Sequence, residues 1–232
     1  MSAVRGQAAG SRPVGKDRLH GVHVPASVGR GPRTLILGFA GNAWNSQDAA
    51  TFLHQVFPEA DVIAFHYRGY SPSTGSPSAE ALLADAPQIF DFAVERVKPE
   101  RTVAVGFSIG SGVAAQLATK RELDGLILVT PFDSLAAAAA DLYPMLPVRL
   151  LFRHEIDSAA ALKQADVPVA IIAGAEDQLI RPARTDGLRK SVRRLAFDRT
   201  IARAGHNDIY QMPQFHSAMR EALAAVVSER TR

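Results

Sequence analysis

The sequence predicts an α/β architecture, a mostly parallel central sheet with helices on both faces. Three observations lead there. Four short runs, Thr34–Phe39, Thr102–Phe107, Leu126–Thr130 and Val169–Gly174, are almost continuously apolar, the pattern of strands buried on both faces. Segments of helical spacing separate the strands, which is the order of βαβ units. The composition, 47% hydrophobic and 21% charged over 232 residues, suits a globular chain able to bury a full core.

In chain order, strands are expected at Leu19–Pro25, Thr34–Phe39, Val62–His66, Thr102–Phe107, Leu126–Thr130, Val169–Gly174 and Phe197–Ala202. Helices are expected over roughly 46–57, 78–97, 108–121, 134–142, 157–165, 181–193 and 214–228. Ser78 opens the second of these and Pro99 stops it. Residues 1–15 mix Gly, Ser, Ala, Pro and Arg without periodicity, so they are expected to be a disordered leader. An Arg-rich transit peptide is the alternative for that stretch. Residues 16–232 then form a single domain.

Composition removes several function classes. Cysteine is absent, which excludes disulfides, thiolate nucleophiles and zinc–thiolate sites. No run of 18 apolar residues predicts a membrane span, and no apolar signal core stands at the N-terminus, so a cytoplasmic location is expected. A net charge of +3 and a pI near 9.4 would suit nucleic acid, but the distribution argues otherwise. Residues 1–33 carry Arg5, Arg12, Lys16, Arg18, Arg30 and Arg33 against Asp17 alone. Residues 34–232 hold 20 basic and 22 acidic groups. The basicity belongs to the first 33 residues rather than to the rest of the chain, and no nucleic-acid partner is expected.

In an open α/β sheet, ligands bind beyond the carboxyl ends of the strands, so the residues just after each strand carry the functional information. After Thr102–Phe107 comes Gly106-Phe107-Ser108-Ile109-Gly110, a G-x-S-x-G turn between a strand and a helix. Such a turn exposes the serine hydroxyl at the sheet edge. The overlapping Gly110-Ser111-Gly112-Val113-Ala114-Ala115 also fits the dinucleotide pattern G-x-G-x-x-A. That rival needs an acid at the tip of the next strand, where Val129-Thr130-Pro131 stands and Asp133 comes late. A third reading takes these glycines as helix–strand packing alone.

Asp177 comes after the strand ending at Gly174, and His206 after the strand ending at Ala202. A serine needs a base within reach, and the base needs an orienting carboxylate. The order Ser108, Asp177, His206 is the one an α/β-hydrolase sheet uses. Asp133 is the alternative acid, Asp208 reads as a helix N-terminal or turn carboxylate, and His66 reads as packing or support for the site. The loop after Thr34–Phe39 supplies one oxyanion-binding amide in this fold, here assigned to Asn42, and Ile109 supplies the other.

Phe39–Asn45 (FAGNAWN), Tyr67–Gly75 (YRGYSPSTG), Gly106–Gly110 (GFSIG), Pro131–Ser134 (PFDS) and Gly205–Asp208 (GHND) resemble the BEM46-type branch of the α/β-hydrolases, similar to the mammalian ABHD13 and ABHD17 proteins. The resemblance runs over about residues 17–228. It implies a serine hydrolase acting on esters or thioesters, often of acyl lipids, with Ser108, Asp177 and His206 as the triad. Two departures stand out. Ala40 occupies the place of the family's usual histidine, and His66 the place of a frequent acidic residue.

Cap domains of this fold are commonly inserted after the strand ending near Thr130. Only residues 131–168 lie there, so no large cap is expected. Candidate pocket residues are Phe39, Trp44, Tyr143 and Met145. The last two belong to the apolar stretch Leu142–Phe152, flanked by Arg149 and Arg153, which reads as an acyl-chain wall, a membrane-contact face or a helix packed on the sheet. Arg68 reads as an anchor for its loop or as a contact for an anionic head group. No cofactor or metal is called for, and the expected partner is a small-molecule or acyl-lipid ester. A fold without the chemistry, acting as a binding protein, and a nucleotide-dependent oxidoreductase are the alternatives.

Overall fold

Strand periodicity sorts the apolar residues into two cores. In the computed structural model, which describes residues 7–29, 31–42, 44–145 and 156–230, eight strands form one sheet. They are β1 (Gln7–Val14), β2 (Asp17–Val24), β3 (Thr34–Phe39), β4 (Asp61–Phe65), β5 (Arg101–Phe107), β6 (Gly125–Val129), β7 (Val169–Gly174) and β8 (Leu195–Ile201). The described helices are α1 (Ser46–Val56), α2 (Ala79–Val97), α3 (Ile109–Leu117), α4 (Leu135–Leu142), α5 (Ser158–Gln164), α6 (Pro182–Arg189) and α7 (Pro213–Arg230). Residues 130–168, between β6 and β7, hold α4 and α5 and are too few for a large cap.

Successive side chains of a strand point to opposite faces. Leu35, Leu37 and Phe39 of β3 therefore join one core, with Leu82, Ala86 and Ile89 of α2, Val113 of α3 and Leu162 of α5. Ile36, with Val103, Val105 and Phe107 of β5, joins the other, with Leu53 of α1 and Phe215 and Met219 of α7. The helices are started by local chemistry. Ser78 accepts from the Ala81 amide at 3.0 Å to cap α2, and Lys98 in the left-handed region ends it before Pro99.

The strand order is β1-β2-β4-β3-β5-β6-β7-β8, antiparallel from β1 through β2 to β4 and parallel from there on. The chain runs from β3 outward to β4, then crosses back through α2 to β5 on the other side of β3. The carboxyl ends of β3 and β5 thus flank the topological switch point, where a ligand crevice forms. Their register pairs Phe39 with Gly106, which sets the loop beginning at Ala40 beside Ser108.

One expectation is corrected. Residues 7–14, expected to be disordered, form the edge strand β1, joined to β2 through Gly15-Lys16, with Gly15 in the left-handed region. Its pairing runs from Gln7 opposite His23 to Val14 opposite Asp17. An edge strand is held largely by backbone hydrogen bonds to one neighbour and tolerates Pro13. Ala9 and Val14 are buried. Two small contacts leave no alternating pattern to read.

His54 in α1 and His66 after β4 are 3% and 9% exposed. Burial holds both imidazoles below the ordinary histidine value, and the neighbouring His20 adds to this at His66. The unfolded chain protonates these groups before the folded one does. Stability present above about pH 6.5 is therefore lost as the pH falls through the depressed folded values. Thermal melts between about pH 7.5 and 5 are expected to show a falling Tm. The fall is expected to be shallower in a His54→Gln/His66→Gln variant, and an equally steep one would refute the attribution.

Candidate active site

The turn after β5 is forced by two close backbone approaches. A Cβ on Gly106 would collide with the Gly110 carbonyl and the Ser111 Cα, and one on Gly110 with the Phe39 and Ala40 backbone. Between them Ser108 adopts φ 51°, ψ −118°, a conformation that L-residues rarely occupy. Its amide donates to the Val129 carbonyl at 2.9 Å, and its carbonyl accepts from the Ser111 hydroxyl at 2.6 Å. The backbone is tied on both sides. Gly112 packs against Ile156 and Phe132. Gly110 and Gly112 thus serve close backbone and side-chain packing.

Asp177 and His206 stand in the turns after β7 and β8. The Asp177 carboxylate is buried, 3% exposed. Its Oδ1 accepts from the Leu179 and Ile180 amides at 2.9 and 2.7 Å, and its Oδ2 lies 2.7 Å from His206 Nδ1. On the other edge of the imidazole, Nε2 lies 3.0 Å from Ser108 Oγ. The three side chains form one hydrogen-bonded line. Asp208 is the expected turn carboxylate and accepts from the Gly205 amide at 2.6 Å. Asp133 faces away, accepting from the Ser134 amide at 2.8 Å and pairing with Arg184 at 3.4 Å. Burial raises its carboxyl above the usual range.

Ile109 is the first residue of α3, so its amide is one of the four that have no carbonyl partner within the helix. The helix dipole adds partial positive charge at that point. Across from it runs Ala40-Gly41-Asn42. A Cβ on Gly41 would touch the Ser108 Cβ at 3.7 Å, so this loop lies against the serine. A cavity of about 560 Å³ opens here, lined by Gly41, Asn42, Trp44, Ser108, Leu179, His206, Asn207 and Tyr210. None of these side chains is a lysine, arginine, aspartate or glutamate.

The structure redistributes the other expected pocket residues. Trp44 lines the cavity, its ring 5.0 Å from Phe107 and 5.2 Å from Tyr210. Phe39 does not; strand alternation turns it into the core, where it is 2% exposed. Tyr143 and Met145 are 58% and 93% exposed just beyond α4 and do not line it. The rest of Leu142–Phe152 from position 146 onward lies outside the described residues, as do Arg149 and Arg153.

Arg68 anchors its loop through two carboxylates. It meets Asp85 at 2.8 and 2.5 Å and Asp17 at 3.3 Å. His66 is a packing residue, buried and engaged through its backbone. Sequence reading missed Leu179, Asn207 and Tyr210. Tyr210 belongs to the short helical turn Ile209–Gln211, for which no periodicity gives a signal. Burial pushes its phenol up to about 12, against a hydrogen bond with Thr130 that pulls it down, so it remains a neutral hydroxyl.

A serine elbow after a central parallel strand, with an acid and then a histidine after later strands, is the architecture of the α/β-hydrolases. The chain belongs to that family: residues 35–153 match the family model for the alpha/beta hydrolase fold. An uncharacterized protein of Mycobacterium tuberculosis is 33% identical over 195 residues, covering 82% of this chain and 69% of that one. The human alpha/beta hydrolase domain-containing protein 17C is 26% identical over 166 residues, covering 71% of this chain and 49% of its own length. An alpha-beta serine hydrolase homologue from Coxiella burnetii has the same fold, with TM-score 0.68 at 14% identity over 99% of both chains. Among the described residues, no helix is long and apolar enough to cross a membrane.

Proposed function

We propose that the protein is a serine hydrolase that cleaves carboxylic ester or thioester bonds through an acyl-enzyme. The observation that carries this reading is the line from Asp177 through His206 to Ser108, opening on a partly aromatic cavity whose described lining holds no Lys, Arg, Asp or Glu. In the first step Ser108 Oγ bonds to the carbonyl carbon while its proton passes to His206 Nε2. The amides of Ile109 and Asn42 take the developing oxyanion. Asp177 holds the imidazole with its proton on Nδ1 and stabilises the cation that forms. His206 then protonates the leaving oxygen or sulfur. Water, deprotonated by the same imidazole, releases the acid and restores Ser108.

Among the described residues the lining carries no Lys, Arg, Asp or Glu, which favours a neutral substrate. A carboxylate placed there would lose water without gaining a partner, at a cost of several kcal/mol in a fully closed site and less in an open one. A series of p-nitrophenyl esters from acetate to palmitate, with an acyl thioester in parallel, is expected to be cleaved. A p-nitrophenyl ester carrying a terminal carboxylate is expected to show kcat/KM at least about tenfold lower, which corresponds to about 1.4 kcal/mol. Equal or faster cleavage of the anionic ester would overturn the neutral-substrate reading. Covalent labelling of Ser108 by a fluorophosphonate tests the nucleophile itself.

A further inference from the structure

The oxyanion loop Ala40–Asn42 is short, contains a glycine, and lacks the histidine that the resembled family places at position 40. Two tyrosines from the segment after β4 reach it. The Tyr67 hydroxyl donates to the Ala40 carbonyl at 2.8 Å, and the Tyr70 hydroxyl donates to Asn42 Oδ1 at 2.7 Å. Their rings meet edge-on, with centroids 6.1 Å apart and planes at 86°.

The tyrosines stand on a firm base. Tyr70's amide donates to the Tyr67 carbonyl at 3.0 Å, and Ser73's amide to the Tyr70 carbonyl at 2.8 Å. The Ser73 hydroxyl joins the His66 carbonyl and the His20 amide, at 2.7 and 2.9 Å. Between the two tyrosines, Arg68 is held by Asp85 and Asp17. Tyr67 is buried, and that burial drives its phenol far up, so it stays a donor.

Peptide planarity carries these bonds through to the oxyanion amides. In a trans peptide the carbonyl and the next N–H point in opposite directions. Tying the Ala40 carbonyl to Tyr67 orients the Gly41 amide, and the Gly41 carbonyl, accepting from the Trp44 amide at 3.2 Å, orients the Asn42 amide. Tyr70 then fixes the Asn42 side chain. We infer that Tyr67 and Tyr70 are positioning residues that hold the Ala40–Asn42 amides as the oxyanion-binding wall opposite Ile109. This inference rests on the serine-hydrolase reading above.

The test uses Tyr67→Phe, Tyr70→Phe and the double variant. Two quantities are measured: steady-state hydrolysis of p-nitrophenyl acetate, and inhibition by an alkyl trifluoromethyl ketone. The ketone forms a hemiketal in which Ser108 Oγ bonds to the carbonyl carbon, the serine proton moves to His206, and the new oxyanion occupies the wall. Each single variant is expected to lose about tenfold in kcat and the double about a hundredfold, with KM within twofold; one oxyanion donor lost outright typically costs roughly 10²–10³. Ketone affinity is expected to fall by the same factors, since both report the charged oxygen.

Loss of kcat and of ketone affinity together, at unchanged KM, supports the inference. Wild-type kcat and ketone affinity in Tyr70→Phe and in the double variant overturn it, as does a loss that appears only in KM or only in Tm. Tyr70 is half-buried and keeps its ring in the phenylalanine variant, so it remains informative if the Tyr67 variant folds poorly. If wild type itself shows no Ser108-dependent hydrolysis or ketone binding, the hydrolase reading fails and this inference falls with it. If wild type shows both and the tyrosine variants match it, only the inference fails.

Discussion

Replacing Ser108 by alanine is expected to lower kcat on a p-nitrophenyl ester by roughly 10⁴-fold or more, with the fold intact. The magnitude comes from the chemistry removed. Without Oγ no acyl-enzyme forms, and the residual rate comes only from the oxyanion amides and substrate binding. Fluorophosphonate labelling should vanish in the same variant. The elbow offers a second readout. Ser108 sits at φ 51°, where a Cβ is strained by roughly 1–3 kcal/mol. Ser108→Gly removes the nucleophile and the Cβ together, so it is expected to be as inactive as alanine yet more stable by about 1 kcal/mol, read as a raised Tm. Turnover by Ser108→Ala at the wild-type rate would remove Ser108 from the mechanism.

Asp177→Asn is expected to cost about 10⁴-fold in kcat with little change in stability. The asparagine oxygen can still accept from the Leu179 and Ile180 amides, now 2.9 and 2.7 Å from Oδ1. Its NH₂ group must then face His206 Nδ1, the position Oδ2 holds at 2.7 Å. A donor there makes Nδ1 an acceptor and moves the neutral imidazole's proton to Nε2, so that it points at Ser108 Oγ. The base is then in the wrong tautomer. Asp133→Asn is the comparison. Asp133 pairs with Arg184 and has no contact with His206, so kcat should stay within a few-fold of wild type. A loss under tenfold in Asp177→Asn, or a larger one in Asp133→Asn, would overturn the assignment of the orienting carboxylate.

Much of the fold was legible because burial on both faces leaves a plain mark. The runs at 34–39, 102–107, 126–130 and 169–174 match β3, β5, β6 and β7 to within a residue, and each helix expectation coincides with a described helix to within a few residues. The edge strand β1 left no such mark, since its partner needs only its backbone. Ser108, Asp177 and His206 were legible by their positions after strands, and the geometry sets them within hydrogen-bond reach of one another. The cavity wall was not. Leu179, Asn207 and Tyr210 sit in turns, where no period distinguishes a residue that lines a crevice from one that faces solvent.

The layered α/β class, the serine elbow and the chain order of Ser108, an aspartate and His206 can be read from the amino acids alone. These are local matters, set by side-chain pattern and by the few residues at the carboxyl end of each strand. Which acid meets His206 depends on how the chain folds, because Asp133 and Asp177 both come after strands. The Leu179 and Ile180 amides aim one carboxylate at the imidazole, while Arg184 draws the other away. It also turned Phe39 into the core and brought Tyr67 and Tyr70 onto the Ala40–Asn42 loop. Those contacts join residues 27 or 28 positions apart across two neighbouring strand ends, and only the register of β3 against β4 makes them neighbours.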